Sequence, residues 1–192
     1  YIAFQDSDDE WLPEKLEKQI RAFTTAPPEV GVIYADMQRI HEDGEVEYWH
    51  SPTLSYGNLM NPRTLDYQAV GIGIQSTVIR RDCFDQVGLF DEELPRLVDL
   101  ELLIRLSKHY RFHHIKEALV RYYAVRGISS NTNALVMARR LLLEKHFEEL
   151  RENGKFLANQ YFVMGLALCS GRQLWQGRRY LTKAVAAYPL NI

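Results

Sequence analysis

The sequence predicts an α/β domain followed by an all-helical region. Three observations carry this reading. Short apolar runs with strand character (residues 1–4, 30–37 and 73–80) alternate with segments of helical period. A polar stretch at residues 126–133 then interrupts the pattern, and beyond Ala134 only helical periodicity remains. The expected division is residues 1–131 and residues 134–192.

Taken in order, residues 1–4 form a first strand that ends in an acidic loop. Leu12, Leu16, Ile20 and Phe23 recur at helical spacing behind Pro13, which suits a first helical turn, so a helix is expected over residues 13–24. Residues 30–37 form a strand, and Glu42-Asp43-Gly44 turns it into a hairpin returning through residues 45–49. Residues 51–69 are broken by Pro52, Gly57 and Pro62 into loop and short helical pieces. A strand over residues 73–80 precedes a short helix over 82–87, with Gly88 as its C-cap. A helix over 99–110 turns Leu102, Leu103, Leu106 and Tyr110 inward, and two short strands follow at 112–115 and 118–124. Three helices close the chain, at 134–153, 155–170 and 172–188, separated by Asn153-Gly154 and Gly171.

The 192 residues carry a formal net charge of −2, which announces no nucleic-acid partner. No apolar run approaches the ~20 residues that span a bilayer. Cys83 and Cys169 lack metal-ligand spacing and read as buried free thiols of a reducing cytosol. Position 1 is not Met and the first residues read as mid-strand, so the chain reads as a segment of a longer protein. Its expected location is the cytoplasm, with contact at the inner face of the membrane as a variant of it.

Asp6, Asp8 and Asp9 lie within four positions behind the first strand. Carboxylates this close repel one another unless a cation sits among them. Hard oxygen donors at the carboxyl end of a strand suit Mg²⁺ or Mn²⁺ at a nucleotide diphosphate. The alternative is a cap: Asp9 or Glu10 would stabilise the start of the following helix. Asp99, at the start of its own helix, likewise reads as an N-cap or as a general base.

The stretch FQDSDDEWLPEKLEKQ resembles the acidic motif and following helix of family 2 glycosyltransferases, which have the GT-A fold. The block from Gln75 to Asp82 with Val87-Gly-Leu-Phe-Asp-Glu-Glu-Leu resembles that family's strand and "vGgFdE" segment. Leu97-Val-Asp-Leu-Glu-Leu-Leu-Ile-Arg-Leu resembles its "ED" helix. The resemblance implies a partial GT-A fold, its acceptor-side portion, without the nucleobase-binding half. It implies Asp8 and Asp9 at the metal, Asp6 and Asp8 at the nucleotide sugar, and Asp99 as the catalytic base. The implied reaction is inverting, Mn²⁺- or Mg²⁺-dependent transfer from a nucleotide sugar, a UDP-sugar foremost, to a glycan or other hydroxyl acceptor, as in polysaccharide biosynthesis. The segment alone is expected to be inactive. The second reading is a degenerate, non-catalytic transferase scaffold that recruits a partner through its helices.

The sequence departs from the family pattern at several positions. Val98 stands where a glutamate precedes the base, Leu100 and Leu103 replace aromatic residues, and Tyr123 and Val125 replace an Arg-x-His pair. Gln5 is an unusual polar residue in the first strand. Trp11 reads as core, with Tyr48 and Trp49 as weaker candidates for a sugar platform. His113 and His114 point to opposite faces of a strand and cannot share a cation. Asp91, Glu92 and Glu93 are loop neighbours without the separation of a glycosidase acid pair.

Tyr161, Met164, Gly165, Leu168, Gly177, Leu181, Ala184 and Pro189 fall at the offsets of a tetratricopeptide repeat. This helical tail is expected to offer a surface to a protein partner. The open sheet edge at residues 1–4 is expected to favour self-association.

Overall fold

The computed structural model describes residues 1–53, 72–123, 131–151 and 154–189. The chain forms two compact units, one of residues 1–59, 68–89 and 102–126, the other of residues 60–67, 90–101 and 127–192.

The first unit is built on a mixed sheet of six strands among the described residues: β1 (Ile2–Ala3), β2 (Glu10–Trp11), β3 (Val30–Ile40), β4 (Val46–Trp49), β5 (Thr77–Ile79) and β6 (Arg111–Tyr123). Their order is β1-β5-β3-β6-β2, with β4 also on β3. β3 pairs antiparallel with β5 and β4 and parallel with β6. Its residues from Val30 to Met37 are all buried, as the apolar run VGVIYADM requires of a central strand. Helix α1 (Lys15–Thr25) lays Phe23 and Ile20 over Val30, Ile33 and Val78. Helix α2 (Asp82–Val87) ends at Gly88, whose φ of 79° favours glycine.

Two strand expectations are corrected. The strand over 73–80 shrinks to β5, because residues Ile74–Ser76 make a 3₁₀ turn. Ser76 and Thr77 cause it: their hydroxyls donate to the Gly73 and Ile74 carbonyls at 2.8 and 2.7 Å, drawing the backbone out of the ladder. The two strands over 112–115 and 118–124 are one strand, β6, carried through a bulge. Ala35 pairs with Ile115 and Asp36 with Ala118, so Lys116 and Glu117 have no opposite number on β3. The polar Lys-Glu pair that reads as a strand end is this bulge, and both residues are exposed. His113 and His114 do face opposite ways, the first exposed and the second with only 6% of its side chain accessible.

Helix α3 covers Val98–Ser107, three residues short of its expected end at Tyr110. Leu102, Leu103 and Leu106 are buried as expected, and Tyr110, beyond the helix, is half-buried. The expected loop and short helical pieces at 51–69 fall, after Thr53, outside the described residues.

The second unit contains α4 (Thr132–Arg151), α5 (Gly154–Ser170) and α6 (Leu174–Ala187). α4 bends at His146, whose φ of −123° and ψ of 23° leave the helical region. Leu142, Leu150, Phe156, Met164, Leu168 and Ala184 are buried in this unit. α5 and α6 touch backbone to backbone: a Cβ built on Gly165 would stand 3.1 Å from the Gly177 carbonyl oxygen and 2.8 Å from Leu181. Among the described residues no helix is long and apolar enough to cross a membrane. Both cysteines are free, Cys83 buried and Cys169 only half-buried, contrary to the expectation for the latter.

Candidate active site

The acidic loop lies between β1 and β2, closed by a turn in which the Asp9 N–H donates to the Asp6 carbonyl at 3.2 Å. Its aspartates part ways there. Asp6 and Asp8 are exposed, whereas Asp9 is 7% accessible and faces inward. The backbone N–H of Tyr123, in β6, donates to Asp9 Oδ1 at 3.1 Å, and Gln5 Nε2 donates to the Asp9 carbonyl at 3.1 Å. Asp9 Oδ2 is buried without a hydrogen-bond partner among the described residues. Burial pushes the Asp9 carboxyl up to about 6, aided by the charges of Asp6 and Asp8 and opposed by the Tyr123 N–H and Gln75.

The capping alternative is removed by this geometry. α1 begins behind Glu14, which makes no side-chain cap, while Asp9 serves Tyr123 and Glu10 Oε2 accepts from Arg121 Nη1 at 3.0 Å. The odd Gln5 also acquires a role, as a clamp on the loop's own backbone.

Between α1 and the sheet lies a polar layer that none of the motifs points to. Lys15 and Gln19 are both fully buried. Lys15 Nζ donates to the Thr77 carbonyl at 3.4 Å and sits 4.3 Å from the centre of the Trp11 ring; burial lowers its ammonium to about 8. Gln19 Nε2 donates to the carbonyls of Ile33 and Ser76 at 3.1 and 2.8 Å. The available signal was spacing: Lys15, Gln19 and Phe23 succeed one another at i+4, so all three share the inward face of α1.

Asp99 belongs to the second unit. It is the second residue of α3 and not its cap; Leu97, with a left-handed φ of 62°, stands before the helix. Such a φ on a leucine costs on the order of 1–3 kcal/mol. Burial pushes the Asp99 carboxyl up, against the N–H groups of Leu100 and of Asp99 itself and the charge of Arg96. The helix end therefore does not hold this group at low proton affinity, as a simple dipole argument suggests. A raised carboxyl is the better proton acceptor. Two residues on, Glu101 Oε1 meets His146 Nε2 at 3.0 Å, both side chains 5% accessible or less.

The remaining candidates have other partners. Tyr48 donates to Asp36 at 3.3 Å and packs against His50, and Arg39 covers the Trp49 ring at 5.6 Å. Asp91 and Glu93 share Lys145, so they form an ion-pair cluster and not a glycosidase acid pair.

Among the described residues no three His, Cys, Asp or Glu side chains gather into a metal-holding set. The donors fit a cation held by one or two carboxylates and completed by phosphate oxygens, which is the habit of Mg²⁺ at nucleotides. Asp6 and Asp8 offer such donors at the surface; Asp9, expected at the metal beside Asp8, is instead turned inward with its Oδ1 on the Tyr123 N–H.

A mixed α/β sheet with an acidic loop after its first strand, followed by a helical region, defines a partial GT-A-type transferase fold with a helical tail. Residues 1–88 match the model of Glycosyl transferase family 2. Asp99 and the helices α3 to α6 lie outside the matched residues. No curated protein matches the chain.

Proposed function

We propose that this chain contributes the leaving-group and acceptor machinery of an inverting sugar transfer from a nucleotide sugar to a hydroxyl acceptor. The observation that carries the reading is the division of labour in the acidic loop, with Asp6 and Asp8 exposed above an Asp9 fixed by Tyr123. Asp8, with Asp6 beside it, would hold Mn²⁺ or Mg²⁺. That ion, when bound, offsets the charge of a departing diphosphate as a Lewis acid. Asp9 keeps the turn in place, and Glu10 paired with Arg121 keeps the loop's far end on β6. Asp99 takes the proton of the acceptor hydroxyl as that oxygen attacks the anomeric carbon, inverting it in one displacement.

The test is transfer by the full-length protein with Mn²⁺ and a UDP-sugar, alongside nucleotide binding by calorimetry. Asp8→Asn should lose metal-dependent nucleotide binding. Binding by Asp8→Asn equal to wild type would overturn the metal assignment, and absence of turnover with any nucleotide sugar would overturn the enzyme reading.

A second reading, a scaffold that recruits a protein partner, draws on a groove of about 270 Å³ on the helical unit, lined by Arg140, Phe147, Tyr161, Tyr180 and Lys183. Trp175 beside it is 74% exposed, with Arg179 over its ring at 5.9 Å.

A further inference from the structure

Asp36 is out of place for a central strand: it sits in the middle of β3 with 1% of its surface accessible. A carboxylate is kept in such a position only if donors surround it. Among the described residues four groups face it: the Ser51 N–H at 2.8 Å, His114 Nε2 at 2.7 Å, the Tyr48 hydroxyl at 3.3 Å and His50 Nδ1 at 3.5 Å. Of these His114 continues the chain of contacts, because its other nitrogen, Nδ1, lies 2.9 Å from the hydroxyl of Thr53. Thr53 is exposed.

The order buried carboxylate, imidazole, accessible hydroxyl fixes the proton positions. A carboxylate only accepts, so His114 Nε2 carries the hydrogen toward Asp36, and in the neutral imidazole Nδ1 then accepts from the Thr53 hydroxyl. The imidazole is held rigidly: it stacks on Tyr34 at 4.7 Å with the planes 2° apart. The segment bearing Thr53 is pinned as well. The Tyr34 hydroxyl donates to the Pro52 carbonyl at 2.6 Å, and the Ser51 hydroxyl to the Ala35 carbonyl at 2.9 Å. Every residue of this arrangement lies within the first unit. A network needed only to tie residues 51–53 to β3 has that in the Ser51 and Tyr34 bonds. Besides donating to Asp36, the imidazole sets a base against a solvent-facing hydroxyl.

We infer that Thr53 is an activated nucleophile, a covalent acceptor of acyl groups from esters, with His114 as its base and Asp36 orienting the imidazole. Thr53 Oγ1 attacks the ester carbonyl carbon while its proton passes to His114 Nδ1. The tetrahedral adduct collapses, the ester C–O bond breaks, and the leaving alkoxide takes that proton from Nδ1. The products are an acylated Thr53, a free alcohol and a neutral imidazole whose Nε2–H never leaves Asp36.

p-Nitrophenyl acetate, incubated with the full chain, reads this directly. The expected result is a burst of p-nitrophenolate with one acetyl group mapped by mass spectrometry to Thr53, acquired ~10²-fold or more faster than in His114→Gln. Thr53→Ala, at an exposed position, should melt like wild type and show no burst, and Thr53→Ser should keep it. An equal burst in Thr53→Ala, or acetyl groups on lysines with none on Thr53, would overturn the inference, and neither outcome depends on whether His114→Gln folds.

Discussion

The carboxylate of Asp9 accepts the backbone N–H of Tyr123 at 3.1 Å across 114 residues of sequence. One side chain thus closes the acidic loop onto the end of the longest strand of the sheet. The interaction leaves Asp9 buried among like charges, which sets its titration.

A carboxyl raised in the fold to about 6, from an ordinary 3.8, favours folding in its protonated form. Asp9 therefore contributes stability below its unfolded value, and that contribution is lost as pH rises through about 6. Relative to Asp9→Asn, wild type should lose on the order of 2–3 kcal/mol between pH 4 and pH 7.5. Urea denaturation of both proteins across this range checks it; parallel pH profiles would contradict the burial argument.

Asp99→Asn separates a proton acceptor from a structural carboxylate. Asn can still accept the N–H groups of the first turn of α3, so stability should move by less than ~1 kcal/mol. It cannot take a proton, and loss of a general base costs ~10²–10⁴ in rate. The full-length variant should bind nucleotide in the presence of Mn²⁺ as wild type does and fail in transfer. Near-normal turnover would return Asp99 to a structural role.

Gly165→Leu should drive a side chain into the Gly177 carbonyl and Leu181, overpacking the α5–α6 contact by about 1–3 kcal/mol. Thermal denaturation is the measurement, and an unchanged Tm would show that the two helices part more easily than their spacing implies.

His146→Phe removes the imidazole from buried Glu101 and keeps the bulk. Stripping a buried polar group of such a partner costs ~1–3 kcal/mol, and the double variant with Glu101→Leu should recover part of it. Additive losses in the double-mutant cycle would mean the two side chains are not coupled.

The elements legible in the sequence are those whose causes are local. α2 with its Gly88 cap, the turn at Gly44 and the α4–α6 breaks follow from residues within a few positions of each boundary. The bulge in β6 was not legible, since a bulge exists only by reference to the register of β3. The same holds at the acidic loop. Three aspartates in four positions mark the loop in the sequence, but which one turns inward depends on Tyr123, far along the chain. Lys15 and Gln19 were readable from their i+4 spacing with Phe23, yet polar residues on a helix are ordinarily assigned to solvent. Asp36 lies inside an apolar run that reads simply as a strand, and its partners His114 and Thr53 come from separate segments.

The bulge at Lys116 and Glu117 also sets how this chain can change in length. Successive residues of a strand alternate in the direction of their N–H groups, so removing one residue there would turn every position from Ala118 to Tyr123 over. The Tyr123 N–H would swing away from Asp9, Val120 would trade the interior for solvent, and the loop beside β1 would lose its fastening. A single-codon deletion at an exposed Lys-Glu pair, which surface position alone would mark as harmless, is thereby expected to disable the acidic loop lying more than a hundred residues upstream.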